Sequence, residues 1–268
     1  MVKVLVLGST GMLGSAVGKH FLQQPEIETY LTYRNKDISY GQKKLFFDIL
    51  KSNLDELPAV DYIINCAGII KPFIEDNKEN SVFINSFFPY MLSQYCQKTD
   101  TKLIHITTDC VFTGSEGNYN ENHSHDCSDL YGKSKSLGEP KSCMLLRTSI
   151  IGEEVHKKAS LIEWAKLMRG KEVNGYTNHY WNGITTKEYA KICHQIITKE
   201  LYKEGLYHIH SDTLSKYQLL KLISKRFNLE LKINPFKVET SCDRTLVTLK
   251  DLVSKLDISP IEDQINNL

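Results

Sequence analysis

Residues 3–14, KVLVLGSTGMLG, decide the fold. The run from Lys3 to Leu7 is apolar enough for a strand buried on both faces, and the segment from Gly11 to Gln24 has the apolar spacing of a helix. Glycines between a strand and a helix let the backbone approach a pyrophosphate, which the free N–H groups of the helix N-terminus attract. The stretch therefore predicts a dinucleotide site formed by Gly8, Thr10, Gly11, Met12, Leu13 and Gly14.

The same alternation of short apolar runs and amphipathic stretches continues through the first half of the chain. Strands are predicted at residues 29–33, 44–47, 62–66, 103–107 and 143–147, and a long helix at residues 80–98. Strands separated by helices are typical of βαβ units, whose strands lie parallel. We therefore expect an α/β fold with a doubly wound parallel (Rossmann) sheet.

The pattern becomes less regular after about residue 150. The periodicity predicts helices at 160–169, 186–201 and 216–227, a strand at 206–210, and a polar loop at 174–183. The expected organisation is a dinucleotide-binding Rossmann domain at residues 1–152, followed by a smaller C-terminal substrate-binding lobe at residues 153–268. Parts of residues 184–210 are expected to return to the Rossmann sheet.

Composition and charge argue against several classes of protein. Lys plus Arg number 33 and Asp plus Glu number 32, and a net charge of +1 argues against a nucleic-acid partner. No stretch approaches the ~20 apolar residues of a membrane span, and the N-terminal run is too short for a signal peptide. The seven cysteines are scattered without a CxxC pair, which is typical of free thiols in a reducing compartment. We expect a cytoplasmic protein with no membrane partner.

The residues that follow the later strands indicate which cofactor the site takes. Asp or Glu at the end of the second strand holds the ribose of NAD, but this chain has Arg34 and Lys36 there. Two cations can neutralise a 2′-phosphate, so NADPH is expected, with NADH possible as the alternative. Further cofactor contacts are predicted at Asp48, Ile49, Cys66, Ala67, Gly68 and Asn85.

Tyr131 and Lys135 are the candidate acid–base pair. At i and i+4 on a helix the two side chains share a face. An ammonium about 5 Å from a phenol should lower the phenol pKa by about two units, toward the range useful for proton transfer. Tyr40/Lys44 and Tyr217/Lys221 have the same spacing. Only Tyr131 follows a strand end that carries a hydroxyl suited to a substrate carbonyl, that of Thr108.

Together these residues resemble the extended short-chain dehydrogenase/reductases. The similarity is greatest to dTDP-4-dehydrorhamnose reductase and its relatives, and it is carried by the glycine loop, residues 107–112 (TTDCVF), residues 130–135 (LYGKSK) with Gly138-Glu139, and residues 146–149 (LRTS). The resemblance implies NADPH-dependent reduction of a nucleotide-linked 4-keto-6-deoxyhexose in activated deoxysugar and surface polysaccharide biosynthesis. It implies that Thr108, Tyr131 and Lys135 are catalytic, with the cofactor also contacting Tyr131 and Lys135.

Cys110 departs from the pattern of this group, which has an aromatic residue after Thr-Asp. A cysteine near this position resembles GDP-L-fucose synthase, where a Cys and a His move protons beside the ketone. Cys110 and His156 are therefore possible acid–base residues of a bifunctional 3,5-epimerase/4-reductase. A second alternative is a non-catalytic NADP-binding regulatory subunit, because the regulatory subunit of methionine adenosyltransferase resembles the same family.

Candidate substrate contacts lie outside the glycine loop. Arg147 ends a strand, Asn178 and Trp181 lie in the polar loop, and Arg244 can donate two hydrogen bonds to a sugar-nucleotide diphosphate. The segment His123-Ser-His125-Asp-Cys127 has no second cluster of ligands, so no metal site is expected. A homodimer is a possible assembly.

Overall fold

A computed structural model describes residues 1–34, 41–156 and 158–268. Its strands are β1 (Val2–Leu7), β2 (Ile27–Tyr33), β3 (Lys43–Phe46), β4 (Tyr62–Asn65), β5 (Lys102–Thr108), β6 (Met144–Thr148), β7 (Ile150–Ile151), β8 (Glu172–Tyr176), β9 (His179–Trp181), β10 (Ile184–Thr185), β11 (Gly205–His208), β12 (Leu214–Ser215), β13 (Lys232–Phe236) and β14 (Cys242–Asp243). Its helices are α1 (Met12–Phe21), α2 (Lys78–Val82), α3 (Phe88–Lys98), α4 (Leu130–Leu137), α5 (Leu161–Leu167), α6 (Thr186–Thr198), α7 (Lys216–Arg226), α8 (Leu252–Lys255) and α9 (Ile261–Asn266).

Seven parallel strands form the central sheet, in the order β11-β6-β5-β4-β1-β2-β3. The chain runs outward from β1 in one direction and then returns to β4 on its other side, which confirms the doubly wound α/β fold. Because all seven strands are parallel, their carboxyl ends meet at one edge of the sheet. Ligands of such sheets bind at this edge, beside the point where the strand order reverses.

Apolar side chains of β1 alternate between two cores. Val4 and Val6 pack in the core that also contains residues of α1 and α6, whereas Leu5 and Leu7 pack in the core beneath α3. Each fully buried Val or Leu side chain contributes roughly 1.5–3 kcal/mol to folding. Burial on both faces explains why the run has no polar alternation.

The predicted helix at residues 80–98 contains a wider turn. Residues 83–87 form a π-helical segment between α2 and α3, and the Phe88 N–H donates to the Phe83 carbonyl. Pro89 has no N–H to give to the Asn85 carbonyl, which would be its partner in a regular α-helix. Gly138 packs against this carbonyl so closely that a Cβ there would lie 1.8 Å from its oxygen.

The predicted loop at 174–183 was wrong, because this segment contains most of β8 and all of β9. β8 pairs with β13, and β9 pairs with β12 and β14. Asn and Gly are depleted in strands, so this stretch becomes strand through pairing with partners remote in sequence. A third apolar core joins this part to α5, α7 and α9.

Residues 184–208 connect the later part of the chain to the central sheet. β10 pairs with β7, α6 packs along α1, and β11 extends the sheet beyond β6. This positions residues from both halves of the chain around the carboxyl edge. None of the helices in the described ranges has the length and apolar character needed to cross a bilayer.

Candidate active site

The glycine loop has the close contacts that require glycine. Gly8 has φ +76°, and a Cβ there would lie 3.0 Å from the Ala67 Cα. A Cβ on Gly14 would lie 2.1 Å from the Gly8 carbonyl oxygen, so the first turn of α1 packs directly on the loop. A Cβ on Gly11 would meet only that oxygen, at 3.5 Å, and therefore faces open space. The loop is tightly packed at Gly8 and Gly14 and open at Gly11.

The N-terminus of α1 can bind an anion. Its N-cap, Gly11, provides no side-chain hydrogen bond, and the first turn contains no acidic residue. The first N–H groups of the helix are therefore available to a phosphate, and the helix dipole adds positive charge. This arrangement fits the pyrophosphate of a dinucleotide.

A cleft opens beside the glycine loop. Of the predicted cofactor residues, it is lined by Gly8, Thr10, Gly11, Arg34, Ile49, Cys66, Ala67 and Gly68. Met12, Leu13, Gly14 and Asp48 do not line it; Asp48 instead accepts a hydrogen bond from the Leu50 N–H. The cleft is also lined by six residues that were not predicted from the sequence: Leu7, Thr32, Tyr33, Phe47, Ile69 and Ile84. Lys36 lies outside the described residues.

Asn85 lies behind the cleft and does not line it. Its buried side chain accepts a hydrogen bond from the Ile69 N–H at 2.8 Å and donates to the Ile69 carbonyl at 2.9 Å. It also donates to the Ser134 hydroxyl of α4 at 3.1 Å. Asn85 thus connects the loop after β4 to the helix that carries Tyr131 and Lys135.

Thr108, Tyr131 and Lys135 come together at the carboxyl end of β5. Asp129 caps α4 by accepting from the Gly132 N–H, which fixes where the helix begins. Thr108 lies close enough to the Tyr131 phenol to lower its pKa. One turn along α4, Lys135 is almost completely buried, and its Nζ donates to the Ile106 carbonyl at 2.9 Å.

The pKa of Tyr131 differs from the expectation. Burial raises this pKa, the neighbouring Cys110 raises it further, and the contact with Thr108 lowers it by less. The expected decrease was wrong for this structure, because removing the phenol from water outweighs the favourable contacts. Burial also lowers the pKa of Lys135 to about 8. Tyr131 is therefore a protonated phenol at neutral pH.

Cys110 and His156 occupy different environments. Cys110 is in the turn after Thr108, where burial and Asp109 raise its pKa to about 12. His156 is exposed in the segment between β7 and α5. A neutral thiol is a weak base, so the environment of Cys110 does not favour proton abstraction beside a ketone.

Arg147 is fully buried and belongs to the interior. Its guanidinium forms an ion pair with Glu139 at 2.6 Å and contacts His125 at 2.6 Å and His208 at 3.0 Å. The prediction that Arg147 contacts substrate was wrong for this conformation, because its donors face protein groups. Its position at the end of a strand suggested an exposed side chain, but His208 of β11 and His125 of the loop before α4 cover it.

Of the other predicted substrate residues, Arg244 lies at the site, whereas Asn178 and Trp181 contact other parts of the protein. Asn178 exchanges hydrogen bonds with the Val238 backbone, and Trp181 is buried in the third apolar core. Arg244 donates from Nε to the Phe112 carbonyl at 2.9 Å and lies close enough to Asp109 to affect its pKa.

Lys216 is a site residue that the sequence analysis missed. It is the first residue of α7 and follows the N-cap Ser215, which forms a capping box with Gln218. Its Nζ lies 5.3 Å from the centroid of the Trp181 ring, and burial lowers its pKa while Asp109 raises it. The capping box was visible in the sequence and predicts the start of the helix, but only the fold brings this ammonium to the turn after Thr108.

Curated proteins similar to this chain include subunit beta of methionine adenosyltransferase 2. The protein from Danio rerio is 28% identical over 256 residues, which cover 85% of this chain and 74% of the relative. The spore coat polysaccharide biosynthesis protein SpsK of Bacillus subtilis is 25% identical over 256 residues, covering 91% of this chain and 86% of the relative.

Solved structures of dTDP-4-dehydrorhamnose reductases have the same fold. The Bacillus anthracis protein, solved in complex with NADP, is 21% identical with a TM-score of 0.79, covering 100% of this chain and 98% of that one. The Clostridium acetobutylicum protein is 19% identical with a TM-score of 0.75, covering 99% and 98%. The sequence profile of the RmlD substrate binding domain matches residues 2–259. Since this match spans almost the whole chain, the protein belongs to the RmlD substrate-binding-domain family.

Proposed function

We propose that this protein is an NADPH-dependent reductase of a nucleotide-linked 4-keto-6-deoxyhexose in deoxysugar biosynthesis. The observation that carries the proposal is the convergence of Thr108, Tyr131 and Lys135 at the sheet edge that also carries the glycine cleft. The family and the solved relatives that act on dTDP-4-dehydrorhamnose support the same class of substrate.

The cofactor in this proposal is NADPH, with NADH as the alternative. The glycine loop and α1 would hold its pyrophosphate, and Arg34, which is exposed at the end of β2 and lines the cleft, would face its 2′-phosphate. The bound dihydronicotinamide supplies a hydride. NADP in the Bacillus anthracis relative and NAD in other solved relatives support a nicotinamide dinucleotide.

Three side chains carry the proton chemistry. Tyr131, protonated at neutral pH, donates its proton to the oxygen of the ketone as this oxygen becomes an alkoxide. Thr108 hydrogen-bonds the same oxygen, for which its hydroxyl leaves its present contact with the Asp109 carboxylate at 3.2 Å. Lys135 holds the ribose beside the nicotinamide, and its charge stabilises the phenolate that remains.

We assign Arg244 and Lys216 as the two cations that bind the diphosphate of the substrate. Arg244 Nε donates a hydrogen bond to the Phe112 carbonyl, which orients the guanidinium toward the turn at Asp109 and Cys110. Lys216 reaches the same turn from α7. A partly buried ammonium is costly without an opposite charge, and a diphosphate adds negative charge beyond that of Asp109.

The test is NADPH consumption with a panel of dTDP-, UDP- and GDP-linked 4-keto-6-deoxyhexoses, with product stereochemistry read by NMR. Tyr131→Phe should bind NADPH as the wild type does and lose turnover by orders of magnitude, because it has no proton to donate. Tyr217→Phe is the matched control, since Tyr217 and Lys221 have the same spacing, and it should retain turnover. A Tyr131→Phe enzyme with near wild-type rate contradicts the proposal.

A second candidate function is a non-catalytic NADP-binding regulatory subunit. It is favoured by the similarity to subunit beta of methionine adenosyltransferase 2 in several vertebrates. In that case the protein would bind NADPH, leave the sugar-nucleotide panel unreduced, and co-elute with the methionine adenosyltransferase of its own organism in size-exclusion chromatography. Turnover of any sugar nucleotide in the panel, without co-elution, would exclude this alternative.

A further inference from the structure

The carboxylate of Glu139 is the centre of a buried hydrogen-bond network behind α4. Its Oε1 accepts from the Thr107 hydroxyl at 2.6 Å, and its Oε2 accepts from the Arg147 guanidinium at 2.6 Å. Arg147 is fully buried and also donates to His208 Nε2 at 3.0 Å and to His125 Nε2 at 2.6 Å. The network therefore connects the end of α4 to β5, β6 and β11.

The hydrogen bonds determine the charges in this network. His208 Nδ1 lies 3.0 Å from the Tyr119 carbonyl and 2.9 Å from the Val247 carbonyl, and carbonyls only accept. Nδ1 therefore carries the proton, and Nε2 accepts from Arg147. His125 likewise accepts at Nε2, and burial lowers the pKa of both imidazoles. The guanidinium and the carboxylate are thus the two opposite charges of the network.

The same network sets the position of α4 on the sheet. Three consecutive residues of β5, 106–108, meet three side chains spaced by one helical turn. Lys135 Nζ donates to the Ile106 carbonyl at 2.9 Å, and the Thr107 hydroxyl donates to Glu139 at 2.6 Å. Thr108 lies beside the Tyr131 phenol, close enough to lower its pKa. Glu139 is the last point of attachment, just beyond the end of the helix.

We propose that Glu139 is a positioning residue, which holds α4 in register on β5 through Thr107 and provides the negative charge that faces the Lys135 ammonium where the dinucleotide binds. The proposal rests on the proposed function, because that function gives Lys135 its ligand. Glu139 acts through Lys135 and through the helix.

The groups that face Lys135 support an electrostatic role. Burial lowers the pKa of Lys135, and Glu139, four residues later and just beyond the end of the helix, raises it. From β5, Lys135 meets the Ile106 carbonyl and the buried His105, whose pKa burial holds well below its ordinary value. His105 is therefore neutral, and Glu139 is the neighbouring negative charge that stabilises the ammonium.

The first experiment measures NADPH affinity between pH 6 and pH 10 by cofactor fluorescence. The wild type should lose affinity as Lys135 deprotonates, and Lys135→Met should remove this transition and so assign it. Glu139→Gln keeps an acceptor for Thr107 but removes the charge, so the transition should move to lower pH. Glu188→Gln is the control, because Glu188 is a buried carboxylate paired with Lys191 in α6 and does not face Lys135. It should leave the transition unchanged.

A folded Glu139→Gln protein with the wild-type transition overturns the electrostatic role, as does a wild type without any transition. If Glu139→Gln does not fold, Thr107→Val tests the register, since it removes only the hydrogen bond and leaves the ion pair intact. Thr107→Val should weaken NADPH binding several-fold at every pH, and Thr107→Ser should restore it. Wild-type affinity in Thr107→Val overturns the register role.

These readouts do not depend on sugar turnover. A shifted transition in Glu139→Gln together with an unreduced sugar panel would contradict the proposed function and leave the positioning role standing. Turnover of a sugar nucleotide by the wild type, together with an unshifted transition in Glu139→Gln, would support the proposed function and contradict the electrostatic role of Glu139.

Discussion

At the scale of single residues, the glycines of the nucleotide loop have different physical roles. Gly14 is required by the packing of α1 on the loop, since a Cβ there would lie 2.1 Å from a carbonyl oxygen. Gly11 has room for a Cβ but faces the open side of the loop. One glycine therefore serves the fold, and the other serves access to the ligand.

We predict that Gly11→Ala keeps the melting temperature of the wild type and loses NADPH affinity, because the added methyl group occupies the approach of the pyrophosphate. Gly14→Ala should lower the melting temperature as well as the affinity. Thermal unfolding and fluorescence titration of both variants test the pair. Equal effects of the two substitutions on stability would show that these roles are assigned incorrectly.

We also predict that Cys110 takes part in no proton exchange. Its pKa, raised to about 12, leaves the thiol protonated at pH 7 to 8. Incubation with a 4-keto sugar nucleotide in D2O without NADPH should leave the carbons beside the ketone unlabelled in the NMR spectrum. Deuterium incorporation that disappears in Cys110→Ser would instead establish the epimerase alternative.

At the scale of the elements, the π-helical turn at residues 83–87 packs closely against the end of α4. Pro89 leaves the Asn85 carbonyl without its helical partner, and Gly138 lets the end of α4 approach that carbonyl. Asn85 itself connects the cofactor loop to α4 through the Ser134 hydroxyl. A local irregularity in one helix thereby fixes the second helix, which carries the candidate catalytic pair.

Gly138→Ala should destabilise the protein strongly, because its Cβ would lie 1.8 Å from the Asn85 oxygen and the two helices would have to separate. Leu137→Ala, one residue earlier and 65% exposed, is the control and should have little effect. The free energies of unfolding in urea measure the difference. Similar values for the two variants would contradict the packing argument.

At the scale of the whole molecule, buried neutral histidines make folding sensitive to acid. Burial, with Arg147 nearby, lowers the pKa of His208 to about 4, whereas an unfolded chain has an ordinary histidine pKa near 6.5. Between these values the unfolded state binds a proton that the folded state does not bind. The folded state is therefore stabilised less and less as the pH falls from 6.5 to 4.

We expect the free energy of unfolding to decrease over this range, with His208 contributing up to about 1.4 kcal/mol per pH unit. His208→Gln cannot be protonated there, so its stability should depend less steeply on pH, even if it is lower at pH 7. Urea denaturation of both proteins at pH 7 and pH 5 tests this. Equal slopes would mean that His208 does not titrate between the two states.

The amino-acid sequence alone determined the βα units, the glycine loop and the spacing of Tyr131 and Lys135 on one helix, because these depend on local periodicity. The meeting of Thr108 with Tyr131, 23 residues later in the chain, depends on the packing of α4 against β5. Tertiary structure alone decided that Arg147 is an interior cation, that Lys216 reaches the turn after Thr108, and that residues 172–176 and 179–181 form strands. These outcomes depend on partners such as His208, 61 residues from Arg147. Burial and pairing between such distant segments leave no periodic pattern in the chain, and the same burial reversed the expected shift of the Tyr131 pKa.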